Sequence, residues 1–167
     1  MLLSVALLSA SLAACGFHPL YGQTGAQSEA LTQTLTQIDV DAPGSNVGRQ
    51  LKFELLDILS AGGHAPANPA YRLSLTPAVY EQDAGVRQDT DVTRKNLLLR
   101  TRFILIDVAS GEVLLDATSQ TRASYNRVQS EFANLSAAED AVSRSARVIA
   151  EDIKMRLGVY FNRQAAL

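Results

Sequence analysis

The side chains best suited to binding a charged ligand lie in one short stretch of the chain. Four bases occur within nine residues, from Arg94 to Arg102, with no acidic residue between them. Guanidinium groups chelate phosphate through paired N–H donors, so this stretch suits a phosphorylated ligand with aliphatic groups. The predicted binding surface comprises four bases and two isoleucines: Arg94, Lys95, Arg100, Arg102, Ile104 and Ile106. The alternative is a solvated strand face whose bases pair with Asp116 and Glu112.

Catalytic chemistry has few residues to draw on. The chain has two histidines, His18 and His64, and neither lies in an H-E-x-x-H pattern. The sequence also lacks a G-x-S-x-G motif and a glycine-rich phosphate loop. Asp89 and Asp91 lack the additional oxygen ligands that a calcium site requires. We therefore expect no enzymatic activity, no catalytic residues, no metal site and no cofactor.

Composition narrows the classes of protein further. The chain has 167 residues, 47% of them hydrophobic, and a formal net charge of -2. This length and hydrophobic content predict one folded domain. The near-neutral charge argues against nucleic-acid binding, which needs a basic face to neutralise phosphates. A single cysteine excludes an internal disulfide framework.

That cysteine follows an apolar N-terminal segment. Residues 1–14 carry no charged side chain and end at Cys15. Such a segment is typical of a secretory signal and is shorter than the roughly 20 residues of a membrane span. Leu12–Cys15 resembles the bacterial lipobox, in which the signal is removed before a cysteine whose thiol is acylated. We predict a signal peptide over 1–14 and lipid attachment at Cys15, where more than one acyl chain gives stable anchoring; an ordinary cysteine is the alternative.

The residues after Cys15 carry a second resemblance. The string Gly16-Phe17-His18-Pro19-Leu20-Tyr21-Gly22 directly after a lipobox resembles the start of the LPS-assembly lipoproteins, the LptE-like family. The resemblance implies an acylated outer-membrane protein that plugs a large β-barrel LPS-assembly protein and helps deliver lipopolysaccharide to the cell surface. The rest of the chain resembles the family only in its order of elements, so no ligand-contacting residue is carried over. The alternative is a plain tether between lipid and domain.

The remaining sequence predicts an α+β domain. We assign residues 15–30 to an acylated anchor segment and linker, 31–158 to the domain, and 159–167 to a loosely held C-terminal tail. Loose alternation predicts a strand over 31–40. Ser45 and Asn46 provide a cap for an amphipathic helix with apolar residues from Val47 to Leu59.

Three further strands and a helix complete the prediction. The strands span about 71–80, 94–108 and 112–125, and a capping box at Ser136 begins a helix that ends near Gly158. The order β-α-β-β-β-α predicts a two-layer sandwich, with a four-stranded, mainly antiparallel sheet and both helices on one face.

The turn at Ala109–Gly111 permits a prediction of register. If Val108 faces Glu112, paired residue numbers sum to 220, so that Phe103 faces Ala117. The odd-numbered side chains would then form the core face: Leu97, Leu99, Phe103, Leu105, Val113, Leu115, Ala117, Ala123 and Tyr125. The even-numbered ones would form an outer face: Leu98, Arg100, Arg102, Ile104, Ile106, Leu114, Asp116, Gln120 and Arg122.

Together these features predict an outer-membrane lipoprotein of the lipopolysaccharide translocon that works by binding a β-barrel partner and lipopolysaccharide. The alternative is an auxiliary lipoprotein of an ABC-type phospholipid or solute transport system. The two hypotheses differ in partner: a β-barrel in the first, and transporter components in the second.

Overall fold

The computed structural model describes residues 26–60, 63–83 and 93–165, which form three helices and four strands. In chain order the elements are α1 (Ala26–Thr36), β1 (Ile38–Asp41), α2 (Asn46–Leu59), β2 (Tyr71–Asp83), β3 (Thr93–Asp107), β4 (Val113–Arg127) and α3 (Glu131–Ala165). The predicted signal peptide, Cys15, the string 16–22 and the aspartates at 89 and 91 lie outside the described residues. Within those residues, no helix is both long enough and apolar enough to cross a membrane.

The four strands form one mixed sheet in the order β1-β2-β3-β4. Strand β1 runs parallel to β2, and the other two pairs are antiparallel. This confirms the α+β class, with three helices where two were predicted. Pro77 lies beyond the four-residue stretch of β2 that pairs with β1, so its missing N–H faces an open edge.

The predicted register of β3 and β4 is confirmed. Pairs run from Thr93–Arg127 to Leu105–Leu115 and sum to 220 throughout. Gly111 closes the turn at a φ of 72°, a conformation that favours glycine, and donates its N–H to the Asp107 carbonyl at 2.9 Å. Because the loop is short, it fixes the pairing of both strands.

The assumed starting pair is wrong, because Asp107 and not Val108 bonds Glu112, and the register shifts by one residue at the turn end of β4. Ile106 pairs with Val113, which leaves Leu114 as an extra residue on the β4 side. Leu114 therefore packs against the core, and its predicted position on the outer face is wrong. Val113, predicted on the core face, is 56% exposed. Unbroken alternation had been assumed up to the turn, and the bulge interrupts it.

The predicted strand over 31–40 is wrong in its first half. Residues 26–36 form α1, and only Ile38–Asp41 are extended. Leu31 and Leu35 are one helical turn apart and pack at the core, with Leu35 buried. The interspersed threonines favoured a strand locally, but burial of this leucine pair favours the helix. The predicted linker thus includes residues 26–30, which are helical.

Helix α3 is longer at both ends than predicted. It begins after Ser130, whose hydroxyl accepts the Ala133 N–H at 3.4 Å, so the capping box predicted at Ser136 lies inside the helix. It continues to Ala165, which makes residues 159–165 helical where a loose tail was predicted. Phe161 packs against Tyr71 with ring centroids 5.1 Å apart. This aromatic contact holds the last turns against the sheet.

The helices cover the odd-numbered face of the long strands. In α2, the Ser45 side chain caps the helix by accepting the Gly48 N–H at 3.1 Å, as predicted. In α3, Asp152 accepts a hydrogen bond from Ser119 of β4 at 2.6 Å. Leu97, Leu99, Phe103 and Leu105 lie fully buried beneath the helices.

The start of α3 is also joined to the end of β4. The Asn134 side-chain amide accepts the Val128 backbone N–H at 2.8 Å and donates to the Val128 carbonyl at 2.9 Å. One buried side chain thereby satisfies both backbone groups of a residue at the end of the edge strand.

Candidate ligand-binding face

The outer face of the sheet carries the even-numbered residues of the long strands. Arg94, Arg100 and Arg102 all lie there and are exposed, as the alternation predicts. Arg102 donates from Nε to Oδ1 of Asp116 at 2.9 Å. This bond raises the pKa of Arg102 and lowers the pKa of the Asp116 carboxyl. Arg102 therefore fits the alternative reading, a base already paired on a solvated strand.

Lys95 lies on the opposite face of the sheet. Its Nζ is 3.6 Å from a carboxylate oxygen of Glu81 and 3.8 Å from one of Asp83, and its side chain is 21% exposed. Tyr125 donates to the same Glu81 at 3.3 Å, and burial, followed by the Glu81 charge, raises the Tyr125 pKa. The structure thus splits the predicted four-base cluster, because adjacent strand residues point to opposite faces.

Arg122 also lies on the outer face, although the predicted binding surface did not include it. It is paired with Leu98, and Leu98 is paired on its other side with Tyr80, so the three form one row across the sheet. Arg100 is opposite Gln120, which makes it a diagonal neighbour of Arg122, about 7–8 Å away between backbones. The position of Arg122 opposite Leu98 was predictable from the sequence, because the two residue numbers sum to 220, the value predicted for paired residues of β3 and β4.

We call this part of the outer face the arginine face: Tyr80, Arg94, Leu98, Arg100 and Arg122. Among the described residues, none of its three arginines forms an ion pair. The even-numbered positions from 78 to 82, 94 to 100 and 120 to 126 contain no acid. Three uncompensated guanidinium groups beside an aromatic and a leucine can bind anionic groups attached to an apolar body.

The two predicted isoleucines lie elsewhere on the same face. Ile104 and Ile106 are half-buried and pair with Ser74 and Arg72 of β2. Ile104 is ten residues from Arg94, about 33 Å along the strand. Leu114, which was predicted beside the two isoleucines on the outer face, packs against the core. The isoleucines do not form one surface with Arg94.

A groove lies between the free edge of β4 and helix α3. Its volume is about 560 Å³. Asp152 within it also accepts from Nε of Arg156 at 3.2 Å. The groove is lined by Arg100, Thr118, Ser119, Gln120, Val148, Asp152 and Arg156.

Comparison with known proteins establishes the fold. No family model matches the sequence, and no curated protein matches it significantly. Among solved structures, a candidate lipoprotein from Caulobacter crescentus CB15 is similar with a TM-score of 0.68 and 20% identity, covering 81% of this chain and 97% of that one.

Two further lipoproteins share the fold. A minor lipoprotein from Acinetobacter baumannii has a TM-score of 0.59 at 18% identity, covering 75% of this chain and 91% of its own. Rare lipoprotein B from Shewanella oneidensis has a TM-score of 0.59 at 12% identity, covering 77% of this chain and 98% of its own. The chain therefore has a fold found in bacterial lipoproteins.

Proposed function

We propose that this protein is an outer-membrane lipoprotein subunit of the lipopolysaccharide translocon. In this proposal Cys15 is acylated, the folded domain plugs a β-barrel partner, and the arginine face binds lipopolysaccharide during delivery to the cell surface. The observation that carries the binding role is the arginine face, whose three exposed guanidinium groups form no ion pair with any described residue. The string after Cys15 and the lipoprotein fold support the cellular role.

The chemistry of the arginine face matches a phosphorylated glycolipid. Arg100 and Arg122 are close enough to contact one phosphate, while Arg94 lies about 20 Å from Arg100 along β3 and would meet a second anionic group. Tyr80 and Leu98 offer the apolar contact between them. Charge-assisted hydrogen bonds to phosphate supply the affinity, and the spacing supplies selectivity.

The binding role is tested by removing single charges from the two faces of the sheet. Arg122→Gln and Arg100→Gln should each weaken binding of purified lipopolysaccharide by about tenfold, since each loses a charge-assisted contact. Lys95→Gln removes the same charge from the opposite face and should change affinity by less than about twofold. Equal weakening in all three variants would mean that net charge alone attracts the glycolipid, and the arginine face would not be the site.

The partner is tested separately. The full-length acylated protein, purified from solubilised outer membranes, should retain one large β-barrel protein in equal proportion after a stringent wash. Recovery of ABC transporter components in its place would contradict the translocon assignment, whatever the result of the glycolipid assay.

A further inference from the structure

Strand β4 forms one edge of the sheet, and its backbone polarity can be assigned. Tyr71 donates its backbone N–H toward β1, to the Gln37 carbonyl at 3.3 Å. In antiparallel strands, two directly opposite residues turn their backbone N–H and C=O groups either toward each other or away from each other. The backbone groups of Asp107, which is opposite Tyr71, therefore point toward β4. Its N–H does bond the Glu112 carbonyl at 3.0 Å. The same alternation turns the odd-numbered residues of β4 toward β3.

The even-numbered residues of β4 therefore turn their backbone groups to the open edge. Thr118, Gln120 and Arg122 each present an N–H and a C=O there, and no backbone group of another described element bonds to them. Natural edge strands are usually protected by lysine, proline or a bulge. Residues 116–127 contain neither lysine nor proline, and the bulge at Leu114 lies before them. No described strand pairs with this edge, so it offers its backbone groups to another strand.

Helix α3 forms the second wall of the groove beside this edge. Val148, Met155 and Val159 recur at the spacing of one helical face and are 50%, 47% and 37% exposed. Asp152 lies between them and bonds Ser119 of β4, which fixes this face of the helix next to the edge. A strand added to β4 would have one set of alternate side chains against this apolar stripe.

The other set of alternate side chains would lie on the outer face. Residues paired with Thr118, Gln120 and Arg122 would lie next to Arg122 and near Arg100, and neither arginine forms an ion pair with a described residue. Cross-strand pairs of opposite charge are favourable, and like charges are not. The edge therefore selects a strand with acidic residues at these positions.

We propose that the groove between β4 and α3 binds an extended segment of another polypeptide by β-strand addition. The segment alternates acidic residues, which contact Arg122 and Arg100, with aliphatic residues, which contact Val148 and Met155. Backbone hydrogen bonds to Thr118, Gln120 and Arg122 supply the common part of the affinity, as in other strand-addition sites. This proposal concerns a polypeptide and does not depend on lipopolysaccharide binding.

A second copy of this chain fits the edge less well. Pairing β4 with itself about a two-fold axis at Ser119 would set Asp116 of each copy opposite Arg122 of the other, but Asp116 already pairs with Arg102. The same pairing sets Thr118 opposite Gln120, so it brings no carboxylate to the position next to Arg100. A foreign strand can bring an acid to both positions, and charge complementarity therefore favours a partner segment over self-association.

The test uses a fluorescently labelled heptapeptide of alternating glutamate and valine, with the full chain in detergent solution. Binding is followed by anisotropy. Gln120→Pro removes one edge N–H without touching the bonds between β3 and β4, and it should weaken peptide binding by about tenfold. Gln120→Ala keeps the N–H and should bind within about twofold of the unchanged protein. A peptide N-methylated at alternate amides should not bind.

Hydrogen exchange in the unchanged protein gives a readout that needs no variant. The amides of Thr118, Gln120 and Arg122 should exchange quickly and become protected on peptide addition, while those of Ser119 and Thr121 are slow throughout. Absence of binding, equal binding of the N-methylated peptide, or equal affinity of Gln120→Pro and Gln120→Ala would overturn the proposal. A dimer in sedimentation that Gln120→Pro abolishes would also overturn it, in favour of self-pairing.

Discussion

Replacement of Thr101 by valine should stabilise the protein. Thr101 lies in the middle of β3 on the core face and is fully buried, and its hydroxyl has no hydrogen-bond partner among the described residues. Its neighbours across the sheet are Pro77 and Ser119. Proline has no side-chain polar group, and the Ser119 hydroxyl proton is donated to Asp152.

The size of the expected stabilisation follows from the unpaired state of the Thr101 hydroxyl among the described residues. An unsatisfied buried polar group costs about 1–3 kcal/mol of folding free energy, and a methyl group of nearly the same size removes this cost. We expect Thr101→Val to raise the free energy of unfolding by about 1–2 kcal/mol. With a urea dependence of about 1–3 kcal/mol per molar, the unfolding midpoint should rise by about 0.3–2 M.

The assay is urea unfolding followed by circular dichroism, with Thr76→Val as the control. Thr76→Val is the same substitution at an exposed position of the neighbouring strand, so it should change the free energy of unfolding by no more than about 0.5 kcal/mol. If Thr101→Val is no more stable than Thr76→Val, the Thr101 hydroxyl is satisfied in solution and the reasoning fails.

Two further predictions concern the helix cap and the surface ion pair. Gly48→Ala should lower stability by about 1–3 kcal/mol in urea unfolding, because its methyl group would overlap the Pro43 carbonyl. Gly44→Ala, which meets nothing within 4 Å, is the control, and equal midpoints would contradict the clash. Because Arg102 lowers the Asp116 pKa, the pair stabilises the fold above the ordinary carboxyl pKa of about 4, and this stability is lost as the pH falls through the lowered value. The excess thermal stability of the unchanged protein over Arg102→Gln should therefore be present at pH 7 and vanish in acid; a constant difference would exclude this linkage.

The long hairpin was predictable because its turn is short. Four residues separate Asp107 from Glu112, with glycine at the left-handed position, and so short a connection leaves little freedom in pairing. Phe103 and Ala117 could therefore be matched from the sequence. The bulge at Leu114 could not be predicted, since both leucines at 114 and 115 are apolar and either suits the core. The sequence also did not predict α1 or the end of α3, because both depend on contacts with residues distant in sequence: the Leu31 and Leu35 contacts with the core, and the Phe161 contact with Tyr71.

The binding face was predictable in part. Clustering along the sequence grouped Lys95 with the arginines, although alternation sends it to the other side of the sheet, where two carboxylates hold it. Applying the register across strands identifies Arg122, which is 22 residues from Arg100 in sequence and diagonal to it in space. Proximity in a sheet follows pairing more closely than sequence distance.

The Asn134 bridge to Val128 sets the rotational phase of α3. Asn134 and Asp152 are eighteen positions apart, which is about five complete turns, so both side chains leave the helix in the same direction. Asp152 bonds Ser119 in β4, and Asn134 bonds Val128, the residue that follows β4. One inserted or deleted residue between Asn134 and Asp152 would rotate one attachment by about 100° relative to the other. The length of this helical segment is therefore fixed by angle as well as by distance, and indels should be tolerated only where they preserve whole turns.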